Sequence, residues 1–176
     1  MKKTNTPAAA FRPKPEWLAL SSETALETDL PIIDAVVNHA GGRIGIGRYA
    51  GIPAEVNTQW IARLRQLAAY PNVSIKLSGQ GMPLAGFGLT ELPLPPISED
   101  LANLWWPRIS ACIDIFGIGR CMFASNFPVD KVSCSYMSLW SAFKRMTQAM
   151  SDSDSAWLFA GTAARHYSLQ SYITSK

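Results

Sequence analysis

The sequence predicts an α/β fold of about three parallel strands alternating with helices. Three observations lead there. Along the chain, short β-branched runs give way to stretches of helical apolar spacing, in the order strand, helix, strand, helix, strand, helices. The segments between successive strands are long enough to hold helical crossovers, which join parallel neighbours. Each strand also runs into a polar, Gly- or Pro-rich motif, and parallel sheets carry their chemistry at the C-terminal strand ends.

Residues 1–29 read as a tail with Pro7, Pro13 and Pro15, carrying a weak helix over 17–28. The first strand spans 32–38 (IIDAVVN) and stops at His39-Ala40-Gly41-Gly42. A Gly-rich loop follows, up to Pro53. From Val56 to Tyr70 the pattern is helical, with Trp60, Ile61, Leu64, Leu67 and Ala68 on one face, and Pro71-Asn72 ends it. Residues 73–78 alternate with period two, which puts Val73, Ile75 and Leu77 on one face of a second strand. A second long loop, 79–97, contains Pro83, Pro93, Pro95 and Pro96. Loops of this length in a compact domain are usually functional or disordered.

Ser98 is the N-cap expected for a helix running to Phe116, with Glu99 and Asp100 at the positive end of its dipole. Pro107 is expected to kink or split that helix, and Gly117 suits its C′ position. Residues 121–125 form a third short strand, followed by Asn126-Phe127-Pro128-Val129. Residues 135–150 are helical, with Tyr136, Leu139, Trp140, Phe143 and Met146 on one stripe. Ser151 or Ser153 caps a last helix through Phe159, with a further turn ending near Tyr167, and residues 170–176 are a tail.

With 176 residues, 48% of them hydrophobic and 16% charged, the chain suits one ordered domain. A net charge of +3 is too mild for a nucleic-acid footprint. Three cysteines without paired spacing argue against a disulfide framework, and two histidines against a Cys/His zinc site. Residues 1–14 hold no apolar run long enough for a secretory leader, and the sequence has no stretch of 18 apolar residues. The expectation is a reduced, soluble, cytoplasmic protein whose partner is a small molecule, not nucleic acid or membrane.

Familiar ligand motifs fail on context. Gly45-Ile46-Gly47-Arg48-Tyr49-Ala50 matches a dinucleotide fingerprint as a string, but no strand precedes it directly and Pro53 stands where its helix would run. His39-Ala40-Gly41-Gly42 resembles an esterase oxyanion segment but lacks a G-x-S-x-G elbow. The candidate site residues are those at the strand ends. His39 reads either as a hydrogen-bonded structural residue or as a metal ligand or general base. Asn126 reads as a turn residue or a substrate-facing amide. Lys76 reads as a sheet-end amine or a contact for an anionic substrate. Ser78 and Ser125 suit hydrogen-bonded loop starts, since neither has a base with sequence support. Arg43 and Arg48 are either solvated or clamp an anion from the long loop, and His166 reads as a surface or helix-end residue.

Taken in order, several segments resemble a known family. They are residues 36–42 (VVNHAGG), 71–79 (PNVSIKLSG), Phe116-Gly117, 120–131 (RCMFASNFPVDK) and 161–165 (GTAAR). The series resembles the C-terminal half of the amidohydrolase-related ("amidohydrolase 2") family over roughly residues 30–169. Any one motif is weak, whereas their order and spacing together are specific. The resemblance implies a partial TIM (β/α) barrel. A complete barrel takes about 250 residues, more than this chain has.

The resemblance further implies a metal-dependent hydrolase, with a divalent ion such as zinc or manganese, that opens a lactone or a related cyclic ester or amide. On it, His39 matches the mid-barrel histidine and serves as metal ligand or acid/base group. Asn126 stands at the place of the family's final acid. Lys76, Ser78 and Arg43 would bind substrate. The sequence departs from the pattern in three places: it has no His-x-His, it has an amide at Asn126, and it has Thr90 where near relatives place a histidine before the glutamate. A second reading therefore stands beside the first: a truncated barrel, inactive alone, that forms a homo-oligomer or complements a separate N-terminal half. A ligand-binding α/β module outside this family is a third.

Overall fold

The computed structural model of the chain describes residues 34–40, 47–49 and 53–169. The weak helix expected at 17–28, residues 32 and 33 of the first strand, Arg43 and the tail after residue 169 lie outside these. The three strands are β1 (Ala35–Val37), β2 (Val73–Leu77) and β3 (Cys121–Phe123). They form one parallel sheet in the order β1-β2-β3. Helix α1 (Pro53–Ala68) lies between β1 and β2, and α2 (Ser98–Phe116) between β2 and β3. After β3 come α3 (Tyr136–Met146), α4 (Asp152–Ala156), one π-helical turn (Trp157–Gly161) and α5 (Thr162–His166). Parallel strands in sequential order, each followed by a helix, make the α/β arrangement expected from the sequence, one arc of a (β/α) barrel.

The pairing register sets the two faces of the sheet. Val37 pairs with Ile75, which pairs with Cys121, and Leu77 pairs with Phe123. These five side chains share one face and pack into the core with Leu101, Trp105 and Ile109 of α2 and Leu139, Ala142 and Phe143 of α3. Phe123 stacks on Phe143 with ring centroids 4.3 Å apart. Each such fully buried side chain contributes about 1.5–3 kcal/mol over its exposed state. Val36, Ser74, Lys76 and Met122 fall on the opposite face, because strand side chains alternate.

Local chemistry explains the helix limits, with three departures from expectation. Helix α2 runs unbroken through Pro107. Pro107 and Asn103 are both exposed, so the Asn103 carbonyl, left without its intrahelical donor, lies on the solvent side. The N-cap of α2 is Ile97, not Ser98; Ser98 is the first helical residue, and its hydroxyl accepts instead from Arg145 Nε at 3.0 Å. Leu67, placed on the apolar face of α1, is 38% exposed. By contrast, Ser135 and Ser151 do cap α3 and α4, accepting from the Ser138 and Asp154 N–H groups. Gly117, with φ 79°, closes α2 in a backbone region that glycine enters without strain.

Arg120 ties the N-terminal edge of the sheet together. Its guanidinium donates to the carbonyls of Phe116 (2.8 Å), Tyr70 (2.9 Å) and Ala68 (3.1 Å), which binds the ends of α1 and α2 to the start of β3. Cys112, Cys121 and Cys134 are buried and unpaired. Among the described residues, no helix is long and apolar enough to cross a membrane.

Candidate active site

The C-terminal ends of the three strands meet in one polar cluster. His39 follows β1 in a left-handed conformation, φ 74°. Its Nδ1 lies 2.9 Å from Ser78 Oγ, just past β2, and its Nε2 lies 3.2 Å from Asn38 Nδ2. An amide nitrogen only donates, so Nε2 accepts and Nδ1 carries the proton given to Ser78. The next residue is held as well: Trp60 of α1 donates from Nε1 to the Ala40 carbonyl at 2.8 Å. His39 is therefore oriented from both sides, with the basic nitrogen at its more exposed end.

Behind β3, Asn126 also sits at positive φ, 54°. Its Nδ2 donates to Asp130 Oδ1 at 2.7 Å, and the Gly81 N–H donates to Asp130 Oδ2 at 3.2 Å. Asp130 is 1% exposed. The Ser133 hydroxyl donates to the Gly81 carbonyl, which fixes the same loop from the other side.

The segment Ser78-Gly79-Gln80-Gly81 separates these two groups, and its glycines make the room. A Cβ on Gly79 (φ 72°) would meet Met82 Cε at 2.6 Å and the His39 ring at 3.0 Å. A Cβ on Gly81 would meet the Asp130 side chain at 3.0–3.2 Å. Between them Gln80 is buried, and among the described residues neither of its amide atoms has a hydrogen-bond partner. Such an orphaned pair costs about 1–3 kcal/mol per group, so the apolar core does not explain it.

The two ionisable groups feel each other. Burial pushes the His39 pKa down, opposed by the negative Asp130 and aided by the positive Lys76. Burial pushes Asp130 up, opposed by the hydrogen bonds from Asn126 and Gly81 and by the positive form of His39. His39 is thereby kept in its neutral, proton-accepting form.

Of the residues expected from sequence, His39, Ser78 and Asn126 lie in this cluster. Lys76 is half-buried on β2, acts on His39 through its charge, and has Nζ 5.5 Å from the Tyr167 ring centroid. Arg43 lies outside the described residues. Ser125 accepts from the Phe127 N–H at 3.3 Å, as a turn-forming serine. His166 ends α5 with its ring edge-on to Tyr167.

Two residues were missed: Asp130 and Gln80. Asp130 had one signal, its position four residues after Asn126, but nothing in the string says that it is buried. Gln80 had none. Among the described residues, no three His, Cys, Asp or Glu side chains converge as a metal-ligating group. The described donors do not make up a metal site.

Comparison with known proteins gives the cluster its context. The family model described as amidohydrolase matches residues 23–169. The chain is 35% identical over 143 residues to the Sinorhizobium fredii protein y4mH, covering 81% of this chain and 41% of that one. It is 37% identical over 114 residues to an L-fucono-1,5-lactonase of Burkholderia multivorans, covering 63% of this chain and 36% of the lactonase. The chain thus spans about two fifths of the length of the curated relatives it matches. Among solved structures it is similar to an amidohydrolase from Burkholderia multivorans with bound HEPES, with a TM-score of 0.59 and 31% identity over 76% of this chain and 44% of that one. A second structure of a Burkholderia multivorans amidohydrolase holds zinc, with a TM-score of 0.58 and 32% identity over 76% of this chain and 43% of that one.

Proposed function

Because the chain belongs to the amidohydrolase family, we propose that it serves in the hydrolysis of a lactone. The observation that carries this reading is the oriented His39, whose Nε2 is the unprotonated, accepting nitrogen at the C-terminal edge of a parallel sheet. Kinship to a lactonase supports the substrate class.

In this reading, water replaces the exposed Asn38 amide at His39 Nε2, attacks the lactone carbonyl and gives its proton to Nε2. Ser78 Oγ accepts from Nδ1–H and steadies the imidazolium that forms. The acyl–oxygen bond of the ring then breaks, and the ring oxygen leaves with the proton returned by His39. Water is thus added across one C–O bond to give a hydroxy acid. Lys76 supplies positive charge for the carboxylate that forms, and Arg43, on the long loop, is assigned to the same anion. Asn126, whose amide nitrogen is held by Asp130, turns its amide oxygen to the attacking water or a substrate hydroxyl from the far side of the cluster.

The test is a panel of sugar lactones and aromatic lactones, assayed by acid release with the purified chain, with and without added divalent metal. Opening of at least one, abolished by His39→Ala, is the expected result; no opening under any condition overturns the reading.

A second reading follows from the sheet. Among the described residues, β1 and β3 each have a strand on one side only, and open edges invite pairing. In that reading the sheet is closed by a second copy or by a complementing half-barrel. Sedimentation of the purified chain tests it: a single stable monomer counts against it.

A further inference from the structure

We propose that Asp130 is a positioning residue that fixes the side-chain amide of Asn126 so that its carbonyl oxygen, an acceptor, is the group offered to the site. The inference rests on the hydrolase reading only for its consequence in catalysis.

The argument begins with valence. Both oxygens of Asp130 are engaged: Oδ1 accepts from Asn126 Nδ2 at 2.7 Å and Oδ2 accepts from the Gly81 N–H at 3.2 Å. An ionised carboxylate has no proton to give, so it selects the nitrogen end of the amide. The hydrogen bond is charge-assisted and short, the strong kind. Asp130 itself cannot swing away. It is 1% exposed, Gly81 approaches it so closely that a Cβ there would sit 3.0 Å from its Cγ, and the main-chain N–H of Asp130 donates to the main-chain carbonyl of Asn126 at 3.2 Å.

The amide oxygen of Asn126 is then the free end. Among the described residues, no group donates to it, and Asn126 is only partly buried. An unguided asparagine would present donor and acceptor interchangeably. Here the buried charge removes that choice, and the site receives a neutral acceptor suited to a water or substrate hydroxyl. Asp130 stays too deep to touch substrate.

Asp130→Asn tests this, because it leaves the packing intact while reversing the amide. The new amide at position 130 keeps both hydrogen bonds only if its oxygen faces Gly81 and its nitrogen faces Asn126. Asn126 must then flip and offer its NH2 to the site. The expected result is a chain that still unfolds cooperatively in urea, with kcat lower by on the order of 10²-fold and KM little changed. The double variant Asn126→Asp with Asp130→Asn again presents an acceptor, with every hydrogen bond satisfied, and recovers most of the lost kcat. A folded Asp130→Asn chain with full kcat overturns the proposal, as does a double variant as slow as the single one.

A measurement without substrate stands beside these. In the wild-type chain, the side-chain amide protons of Asn126 should exchange with water at least about tenfold more slowly than those of the exposed Asn103, as a persistent hydrogen bond requires. Equal exchange overturns the proposal, whether or not Asp130→Asn folds. If the wild type opens no lactone, the function assigned above fails while this comparison still decides the orientation of Asn126.

Discussion

The two regions that flank the strands follow opposite rules. On the helix-facing side, Ile75, Leu77, Cys121 and Phe123 meet Trp105, Ile109 and Phe143 in an apolar core where, among the described residues, the indole N–H groups of Trp105 and Trp140 are left without partners. At the C-terminal edge, His39 pairs with Ser78 and Asn126 with Asp130 by hydrogen bonds, His39 and Asn126 lie at positive φ, and Gln80 is buried with no partner among the described residues. The first region gains stability from every side chain. The second sets strain and an orphaned amide against it, as functional sites commonly do. The contrast teaches that burial alone says little about purpose: Phe143 and Asp130 are each 1% exposed, yet one is held by dispersion and the other by directed hydrogen bonds.

Substitutions that separate stability from chemistry should sharpen the contrast. The largest effect belongs to the core. Phe143→Ala removes a ring stacked at 4.3 Å on Phe123 and should cost about 3–5 kcal/mol, read from the urea midpoint. At the edge, His39→Ala should reduce lactone opening by roughly 10²–10⁴-fold while costing about 1 kcal/mol or less of stability. A large loss of stability with unchanged activity per folded molecule would make His39 a structural residue and erase the contrast.

Gly79→Ala probes the boundary. At φ 72°, with a Cβ 2.6 Å from Met82 and 3.0 Å from the His39 ring, it should cost about 1–3 kcal/mol and lower activity by displacing the imidazole. Thermal melts and turnover on the same sample would read both.

The smallest effect is electrostatic. Burial raises the Asp130 pKa above the usual carboxylate value, so the folded state holds that proton more tightly than the unfolded chain does. Its contribution to stability is full below the unfolded carboxylate value and is lost as pH rises through the raised folded value. The stability of the wild type minus that of Asp130→Asn, taken from urea midpoints across this range, should therefore fall with rising pH. A difference that rises would mean that the hydrogen bonds from Asn126 and Gly81 outweigh burial.

Much of this was legible in the residues themselves. The period-two run at 73–77 and the apolar stripes of α2 and α3 gave the elements, because side-chain alternation and helical spacing are local properties. Pro107 does not split α2, because it and Asn103, whose carbonyl it frees, lie on an exposed face where water can replace the lost donor, and which face is exposed is a tertiary property. Ser98 misled because Ile97 already has the extended backbone of a cap. His39 and Asn126 were legible as candidates from their place after strands, whereas Asp130 was not, since its burial depends on Gly81, which lies 49 residues earlier in the chain.

By itself the sequence determined the alternation of strands and helices, the parallel sheet and the polar character of each strand end. Only the tertiary structure decided which of those polar residues meet. It set His39 against Ser78 across 39 positions, placed Asp130 under Gly81, and left Gln80 buried between them with no partner among the described residues. The physical reason is range. Periodicity is set by neighbours a few residues apart, while the donors and acceptors of a site are paired by strand register and by the absence of a Cβ at two glycines, and those act only once the chain has closed on itself.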